Sequence, residues 1–225
     1  LRRYSEQYAD RLAIIGANDD NVITYRELWQ NIASISSNLT MQGVQPKDTI
    51  LAILDNSPKA LQLMLACTVS GFNYAPIACG STISEVTKLV TITNSKYTLV
   101  ENTVDESLVN SIASNVRLID LDYVMKKTDH KLVKIKCGDI YIGTSGSVGE
   151  PKIIKIDADR LWSSGYNFLK MHSVINENSR FYNILPMSYL GGLFNLGIAP
   201  LSLGASVVID NAFSGASFLD FWQKV

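Results

Sequence analysis

The sequence lacks the features that mark metalloproteins, nucleic-acid binders and secreted proteins. Its three cysteines, Cys67, Cys79 and Cys137, do not have the spacing of metal ligands, and the first two stand in apolar surroundings typical of buried thiols. The formal net charge of -1 gives no basic footprint for nucleic acid. No signal peptide is visible, so we expect a cytoplasmic protein. The chain begins with Leu1 rather than methionine, and we expect it to be a portion of a longer protein.

Charged residues are also absent from one long stretch, Phe181 to Ile209. A membrane-spanning helix needs about 20 apolar residues, so the length of the stretch alone would allow one. Two prolines, four glycines and two asparagines interrupt it and favour a buried strand, helix and strand in succession. We therefore expect no membrane span, with membrane insertion as the alternative.

Apolar runs of strand length alternate with helical patterns along the rest of the chain. Two of the helix starts carry a capping box, Thr24 with Glu27 and Thr82 with Glu85. Strands that alternate with helices of this length predict βαβ units and a parallel sheet covered on both faces. The sequence therefore predicts an α/β fold.

A lysine-rich connection at residues 121–138 is the best candidate for an internal boundary. It divides the chain into a first α/β subdomain, residues 1–125, and residues 126–225, which begin a second one. The lysines of this region form either a solvated face or a surface that attracts a phosphate-bearing substrate. They are Lys126, Lys127, Lys131, Lys134 and Lys136.

A loop rich in glycine and hydroxyl side chains stands between two predicted strands. It reads Gly-Thr-Ser-Gly-Ser-Val-Gly-Glu-Pro-Lys from Gly143 to Lys152. Glycine lets a ligand approach the backbone, successive N–H groups form a concave anion site, and Lys152 adds a positive charge. The loop suits a polyphosphate, with an ordinary surface loop as the alternative.

Neither common nucleotide-binding motif fits this loop. A P-loop has its lysine directly after the second glycine and a helix behind it, whereas Lys152 follows Gly149 by three residues and leads into a strand. The dinucleotide fingerprint spaces its glycines by two and then three, whereas Gly143, Gly146 and Gly149 are each three apart. A phosphate loop here has to be of another type.

That type is identified by resemblance. Residues 144–152 resemble the Thr-Ser-Gly-Ser/Thr-Thr-Gly-x-Pro-Lys-Gly signature of the adenylate-forming superfamily, which comprises acyl- and aryl-CoA synthetases, luciferase-like enzymes and adenylation domains of nonribosomal peptide synthetases. Val148 replaces the usual threonine and Ile153 the usual glycine. Residues 23–28 resemble the family's "T-Y-x-E-L" helix start. Residues 185–193 resemble its "L-P-M-F-H-x-G-G-L" segment, with Ser188-Tyr189 where relatives have an aromatic residue and histidine.

The resemblance implies a fold and a set of site residues. The fold is the large N-terminal domain of adenylate-forming enzymes, in which parallel-rich sheets are flanked by helices, here incomplete. Tyr189, Gly191 and Gly192 should line the acid substrate pocket. No metal ligand is expected, and the catalytic residues should lie beyond Val225. The expected ATP-phosphate contacts are Thr144, Ser145, Gly146, Ser147, Val148, Gly149 and Lys152.

The resemblance also implies a reaction. A carboxylic acid attacks Mg-ATP to give an acyl-adenylate, and a thiol of CoA or of carrier-protein phosphopantetheine then forms a thioester. The adenine-binding segment and the late lysine of relatives are missing, so we expect these 225 residues alone to be unable to complete adenylation. The alternatives are a truncated or degenerate homologue that acts as a binding or interaction module, and an unrelated α/β protein with a phosphate loop. The sequence leaves the acid and the acceptor thiol open.

Overall fold

The computed structural model describes residues 1–17, 21–128, 136–144, 152–210, 219, 222 and 223. The helices are α1 (Arg2–Gln7), α2 (Tyr25–Met41), α3 (Pro58–Val69), α4 (Ile83–Thr93), α5 (Glu106–Ala113), α6 (Leu121–Val124), α7 (Ala158–Lys170), a π-helix (Gly191–Ile198) and α8 (Ala199–Leu203). The strands are β1 (Leu12–Gly16), β2 (Val22–Thr24), β3 (Thr49–Ile53), β4 (Asn73–Ile77), β5 (Ser95–Val100), β6 (Arg117–Leu118), β7 (Asp139–Thr144), β8 (Lys152–Asp157), β9 (Arg180–Asn183) and β10 (Ser206–Ile209). This order confirms the predicted α/β fold with parallel-rich sheets and flanking helices.

The chain forms two compact units whose segments are interleaved along the sequence. The first unit comprises residues 1–30, 56–62 and 159–225, and the second comprises residues 31–55 and 63–158. The boundary suggested between residues 125 and 126 is not one of the points at which the chain passes between these units. The division of the sequence at that boundary stays a prediction.

The first unit contains a four-stranded sheet in the order β2-β1-β10-β9. Strand β10 runs parallel to both β1 and β9, and β2 is antiparallel to β1. The uncharged stretch 181–209 supplies β9, the π-helix, α8 and β10, which is the predicted succession of strand, helix and strand. No helix among the described residues has the length and apolarity needed to cross a membrane.

The second unit contains a six-stranded sheet in the order β6-β5-β3-β4-β7-β8. All neighbours are parallel except β7 and β8, which form an antiparallel hairpin at the edge. Strands β3 and β4 are buried along their whole length, as expected of parallel strands with both faces covered. The hairpin is the element that carries the predicted phosphate loop.

Local sequence accounts for the helix starts. In both capping boxes the glutamate accepts from the threonine N–H, at 2.9 Å for Thr24 and Glu27 and at 2.7 Å for Thr82 and Glu85. The threonine hydroxyl in turn accepts from the glutamate N–H, at 3.2 and 3.3 Å respectively. These bonds satisfy N–H groups that the first helical turn leaves unpaired.

Three predicted elements differ in detail. The apolar spacing of residues 158–175 predicts a helix as far as residue 175, whereas α7 ends at Lys170. After it, Met171, His172 and Ile175 each donate their N–H to the carbonyl three residues earlier, which closes turns instead of continuing the helix. The helix predicted within the uncharged stretch 181–209 is π-helical as far as Ile198 and α-helical after it. A short helix, α6, forms inside the predicted connection 121–138, where Asp120 caps it.

Candidate functional site

The predicted phosphate loop joins the two strands of the edge hairpin. Strands β7 and β8 pair in continuous register from Asp139 opposite Asp157 to Thr144 opposite Lys152. Lys152 is therefore brought to the tip of the hairpin across from Thr144, and its side chain is exposed. The other predicted phosphate contacts all lie outside the described residues. They are Ser145, Gly146, Ser147, Val148 and Gly149.

This tip lies at the carboxyl edge of the sheet of the second unit. Because β3, β4, β5 and β7 are parallel, the segments that follow all four strands leave from the same edge. Open α/β sheets bind ligands outside the carboxyl ends of their strands. The position of the loop in the sheet is therefore one at which a ligand is expected.

At the end opposite its tip, the hairpin begins with a close contact between the backbone of Gly138 and that of a neighbouring segment. Gly138 donates its N–H to Thr68 O at 2.8 Å, and a Cβ added to this glycine would lie 1.8 Å from Phe72 O. Asp139 then donates its N–H to Asn73 Oδ1 at 3.0 Å. Only a residue without a side chain fits at 138, so β7 starts from a fixed point.

The carboxylate of Asp139 adds an ionic connection at the same place. Its Oδ2 lies 3.0 Å from Lys155 Nζ on β8 and 3.8 Å from Lys47 Nζ. The hydrogen bond with Asp139 raises the pKa of the Lys155 amine. Both lysine side chains are more than half exposed, so each pair contributes little to the stability of the fold.

A thiol and two carboxylates stand near the carboxyl edge. Thr103 Oγ1 donates to Asp55 Oδ2 at 3.2 Å. Burial and then the hydrogen bond with Asp55 raise the pKa of the Cys79 thiol to about 12, with a further contribution from Glu101. Cys79 is half-buried, whereas Cys67 is fully buried as predicted. A thiol with this pKa is neutral at physiological pH and is not a nucleophile.

The predicted substrate-pocket residues lie in the first unit, with Tyr189 between β9 and the π-helix and the two glycines at the start of the π-helix. Tyr189 is 50% exposed and donates its N–H to Pro186 O at 3.0 Å. Gly191 and Gly192 form the first turn of the π-helix. A Cβ on Gly192 would lie 2.4 Å from Leu185 O, so this glycine permits a close backbone approach. Short π-helical segments occur often at functional sites.

Two asparagines hold this segment, and sequence reasoning missed both. Asn56 donates to Leu185 O at 2.8 Å and accepts from the Met187 N–H at 2.8 Å. Asn183 donates to Gly192 O at 2.9 Å and accepts from the Leu185 N–H at 3.3 Å. A lone asparagine has no distinctive sequence signal, although Asn56 stands directly before the helix start Ser57-Pro58.

The described residues do not supply a metal centre. Among them, no group of three or more histidine, cysteine, aspartate or glutamate side chains could hold an ion.

Comparison with known proteins gives one family over nearly the whole chain. A profile of AMP-binding enzymes matches residues 1–224. The 4-coumarate–CoA ligase 2 of Nicotiana tabacum is 23% identical over 241 residues, which cover 97% of this chain and 44% of the relative. The D-alanine–D-alanyl carrier protein ligase of Bacillus licheniformis is 22% identical over 191 residues, which cover 84% of this chain and 38% of the relative.

The fold also matches solved structures. The o-succinylbenzoate CoA synthetase of Bacillus subtilis in complex with its acyl-adenylate intermediate aligns with a TM-score of 0.84 at 19% identity, over 99% of this chain and 46% of that chain. The same enzyme with ATP and magnesium ion gives a TM-score of 0.82 at 18% identity, over 99% of this chain and 60% of that chain. The chain thus has this fold and spans less than half the length of the curated relatives named above.

Proposed function

The chain belongs to the AMP-binding enzyme family, and from that premise we propose that it is the N-terminal part of a ligase that activates a carboxylic acid with ATP. The observation that carries the proposal is the family match over residues 1–224, combined with a signature run joining paired strands at the carboxyl edge of a sheet. The relatives that support it include a CoA ligase and a carrier protein ligase.

The proposed reaction begins with transfer of the adenylyl group. A carboxylate oxygen of the acid attacks the α-phosphorus of Mg-ATP, the bond to the β-phosphate breaks, and pyrophosphate leaves. This step needs positioning and neutralisation of phosphate charge more than a protein nucleophile. Thr144, Lys152 and the loop residues between them are the proposed contacts of the β- and γ-phosphates as they leave, and the Lys152 ammonium would offset their charge.

In the second half-reaction, a thiol displaces AMP from the acyl-adenylate and leaves a thioester. We propose CoA or a carrier-bound phosphopantetheine as the acceptor, since the relatives named above use one or the other according to their names. Tyr189, Gly191 and Gly192 are the proposed wall of the acid pocket. The catalytic groups of the second step would lie in sequence beyond Val225, and the proposed location is cytoplasmic.

The test is acid-dependent ATP–pyrophosphate exchange by the full-length protein that contains this chain. A panel of fatty, aryl and amino acids should include at least one that supports exchange. Lys152→Ala should lower ATP-dependent turnover roughly tenfold or more, because a hydrogen bond to a charged group contributes about 1.5–3 kcal/mol. Lys155→Ala, which removes a charge from the same strand away from the tip, should leave the KM for ATP unchanged.

Two results would contradict the proposal. Absence of exchange with every acid of the panel would favour a non-catalytic homologue over an enzyme. Wild-type kinetics in the Lys152→Ala protein would remove this lysine from the phosphate site.

A further inference from the structure

The segment between β9 and the π-helix is held by side-chain amides. Leu185 uses its carbonyl with Asn56 and its N–H with Asn183. Asn56 also accepts from the Met187 N–H, so its amide pairs with two backbone groups of the segment as a neighbouring strand would. An irregular segment can keep a defined path only if its backbone groups find partners of this kind.

The second amide ties the same segment to the helix that follows it. Asn183 is completely buried. Its side-chain amide donates to Gly192 O and so connects the end of β9 to the first turn of the π-helix. Because a Cβ at Gly192 would lie 2.4 Å from Leu185 O and 2.5 Å from Pro186 O, the two backbones are already in close contact. Hydrogen bonds and close backbone contacts therefore hold residues 183–192 at both ends.

Tyr189 lies between the residues bonded by Asn56 and the residue Gly192, which is bonded by Asn183. Its N–H bonds Pro186 O and its carbonyl accepts from the Leu193 N–H, each at 3.0 Å. Tyr189 is 50% exposed, and Leu185 and Leu190 in the same segment are 43% and 40% exposed. Three apolar or amphipathic side chains are thus presented to solvent by a backbone that the asparagines fix.

We propose that Asn56 and Asn183 are positioning residues for the acid-binding pocket, which set the place of the Tyr189 ring by fixing the path of residues 185–192. The proposal rests on the proposed function, because it concerns the acid that this enzyme activates. Neither asparagine needs to touch the acid. Their effect on substrate choice passes through the backbone of the segment that they hold.

Substitution of Asn56 separates this role from a general effect on stability. Asn56→Ala removes both amide bonds, and Asn56→Asp keeps the acceptor for Met187 but places a carboxylate against the carbonyl of Leu185. In the full-length protein both changes should raise the KM for the acid about tenfold, as expected from the loss of one or two neutral hydrogen bonds. The KM for ATP should stay within about twofold of wild type, which is a smaller change than the loss of one such hydrogen bond would cause.

Selectivity provides a second readout. A well-ordered apolar pocket distinguishes acids that differ by one methylene by about 10–200-fold. If residues 185–192 lose their fixed path, the ratio of kcat/KM for the best acid to kcat/KM for its homologue one methylene shorter should fall at least threefold. Such a fall is small against the discrimination of about 10–200-fold that an ordered pocket gives. A merely structural role would lower both values equally and leave the ratio unchanged.

Asn38 supplies a matched control in the second unit. It is buried, whereas Asn56 is partly buried, and its amide donates to the carbonyls of Tyr123, Val124 and Lys126 at 3.3, 3.1 and 2.9 Å. Asn38→Ala should lower the melting temperature as Asn56→Ala does, without changing the acid selectivity.

Hydrogen–deuterium exchange of the full-length protein tests the geometry without any turnover. The peptide covering residues 184–190 should exchange faster in both Asn56 variants and at the wild-type rate in Asn38→Ala. The inference is overturned if this peptide is unchanged in the Asn56 variants, or if the two Michaelis constants rise together. Failure of the wild-type protein to catalyse ATP–pyrophosphate exchange with any acid would instead overturn the proposed function. The two failures are therefore distinguishable.

Discussion

Substitution of the two adjacent glycines of the π-helix should have opposite outcomes. At Gly192 an added Cβ would lie 2.4 Å from Leu185 O and 2.5 Å from Pro186 O, and both oxygens belong to the backbone. At Gly191 the nearest atom is Leu185 Cδ1, the end of a flexible side chain, at 3.1 Å. Gly192→Ala therefore forces a backbone shift, whereas Gly191→Ala needs only a change of rotamer.

The size of the difference follows from these contacts. Forced overpacking costs about 1–3 kcal/mol, and strain on the bond between Asn183 and Gly192 O adds about 1 kcal/mol. Replacement of glycine by alanine in a helix returns about 1 kcal/mol. The net destabilisation of Gly192→Ala should be about 2 kcal/mol, which lowers the melting temperature by about 4–8 °C for a chain of this length.

Thermal and urea unfolding of both variants, followed by circular dichroism, measure the effect. Gly191→Ala should fall within about 1 kcal/mol of wild type, since its only close contact can move and helix propensity favours alanine. Equal destabilisation by the two substitutions would refute the reasoning. So would a wild-type melting temperature in Gly192→Ala, since both results mean that residues 185 and 186 do not lie against this turn.

Two further predictions concern the second unit. Cys79, with its pKa raised to about 12, should react with iodoacetamide at pH 8 at least tenfold more slowly than free cysteine, as its thiolate fraction is lower. Asp55→Asn should accelerate that reaction, and equal rates measured by mass spectrometry would contradict this account. Thr82→Ala should cost about 1 kcal/mol at pH 7 through loss of the helix cap. The hydrogen bonds with Thr82 lower the pKa of Glu85, so this stabilisation is present above the unfolded pKa of the carboxyl and is lost as the pH falls through the folded value. The difference between wild type and Thr82→Ala in urea unfolding should therefore shrink in acid, and a constant difference would exclude the capping box as its source.

Elements that depend on near neighbours could be predicted from the sequence. The capping boxes at Thr24 and Thr82 join residues three apart, and the buried stripe of α2 repeats at helical spacing, so both are visible in a short window. The apolar residues of this stripe are buried, with Leu28, Ile32 and Leu39 at 0% exposure and Ile35 at 1%. The two strands of the hairpin were also predicted from local pattern, because two apolar runs flank one short loop.

The bonds that hold residues 185–192 could not be predicted in the same way. The two bonds of Asn56 reach residues 129 and 131 positions away, and no periodicity reports a contact at that distance. The π-helix is likewise invisible to a pattern that only asks for apolar residues at helical spacing. Pro200, which has no N–H to donate, lies next to the change from π- to α-helix and was the nearest sequence signal.

One of the two departures from the family signature has a structural explanation. Ile153 stands where the signature has glycine, and it pairs across the hairpin with Gly143, whose own added Cβ would meet nothing within 4 Å. The isoleucine side chain packs, partly buried, against the apolar core of the second unit. It therefore covers core surface that a glycine would leave open, and it need not indicate a lost phosphate contact.

Val148 is then the departure that bears on the proposed ATP site. It lies outside the described residues, and its effect follows from composition. Valine removes one hydroxyl donor but keeps the backbone N–H that a phosphate loop uses, so the loss amounts to one neutral hydrogen bond, about 1 kcal/mol or fivefold in affinity. A loss of this size weakens the proposed ATP contact without removing it. The departures in the signature are thus compatible with an enzyme, and the choice between an enzyme and a non-catalytic homologue depends on the exchange assay.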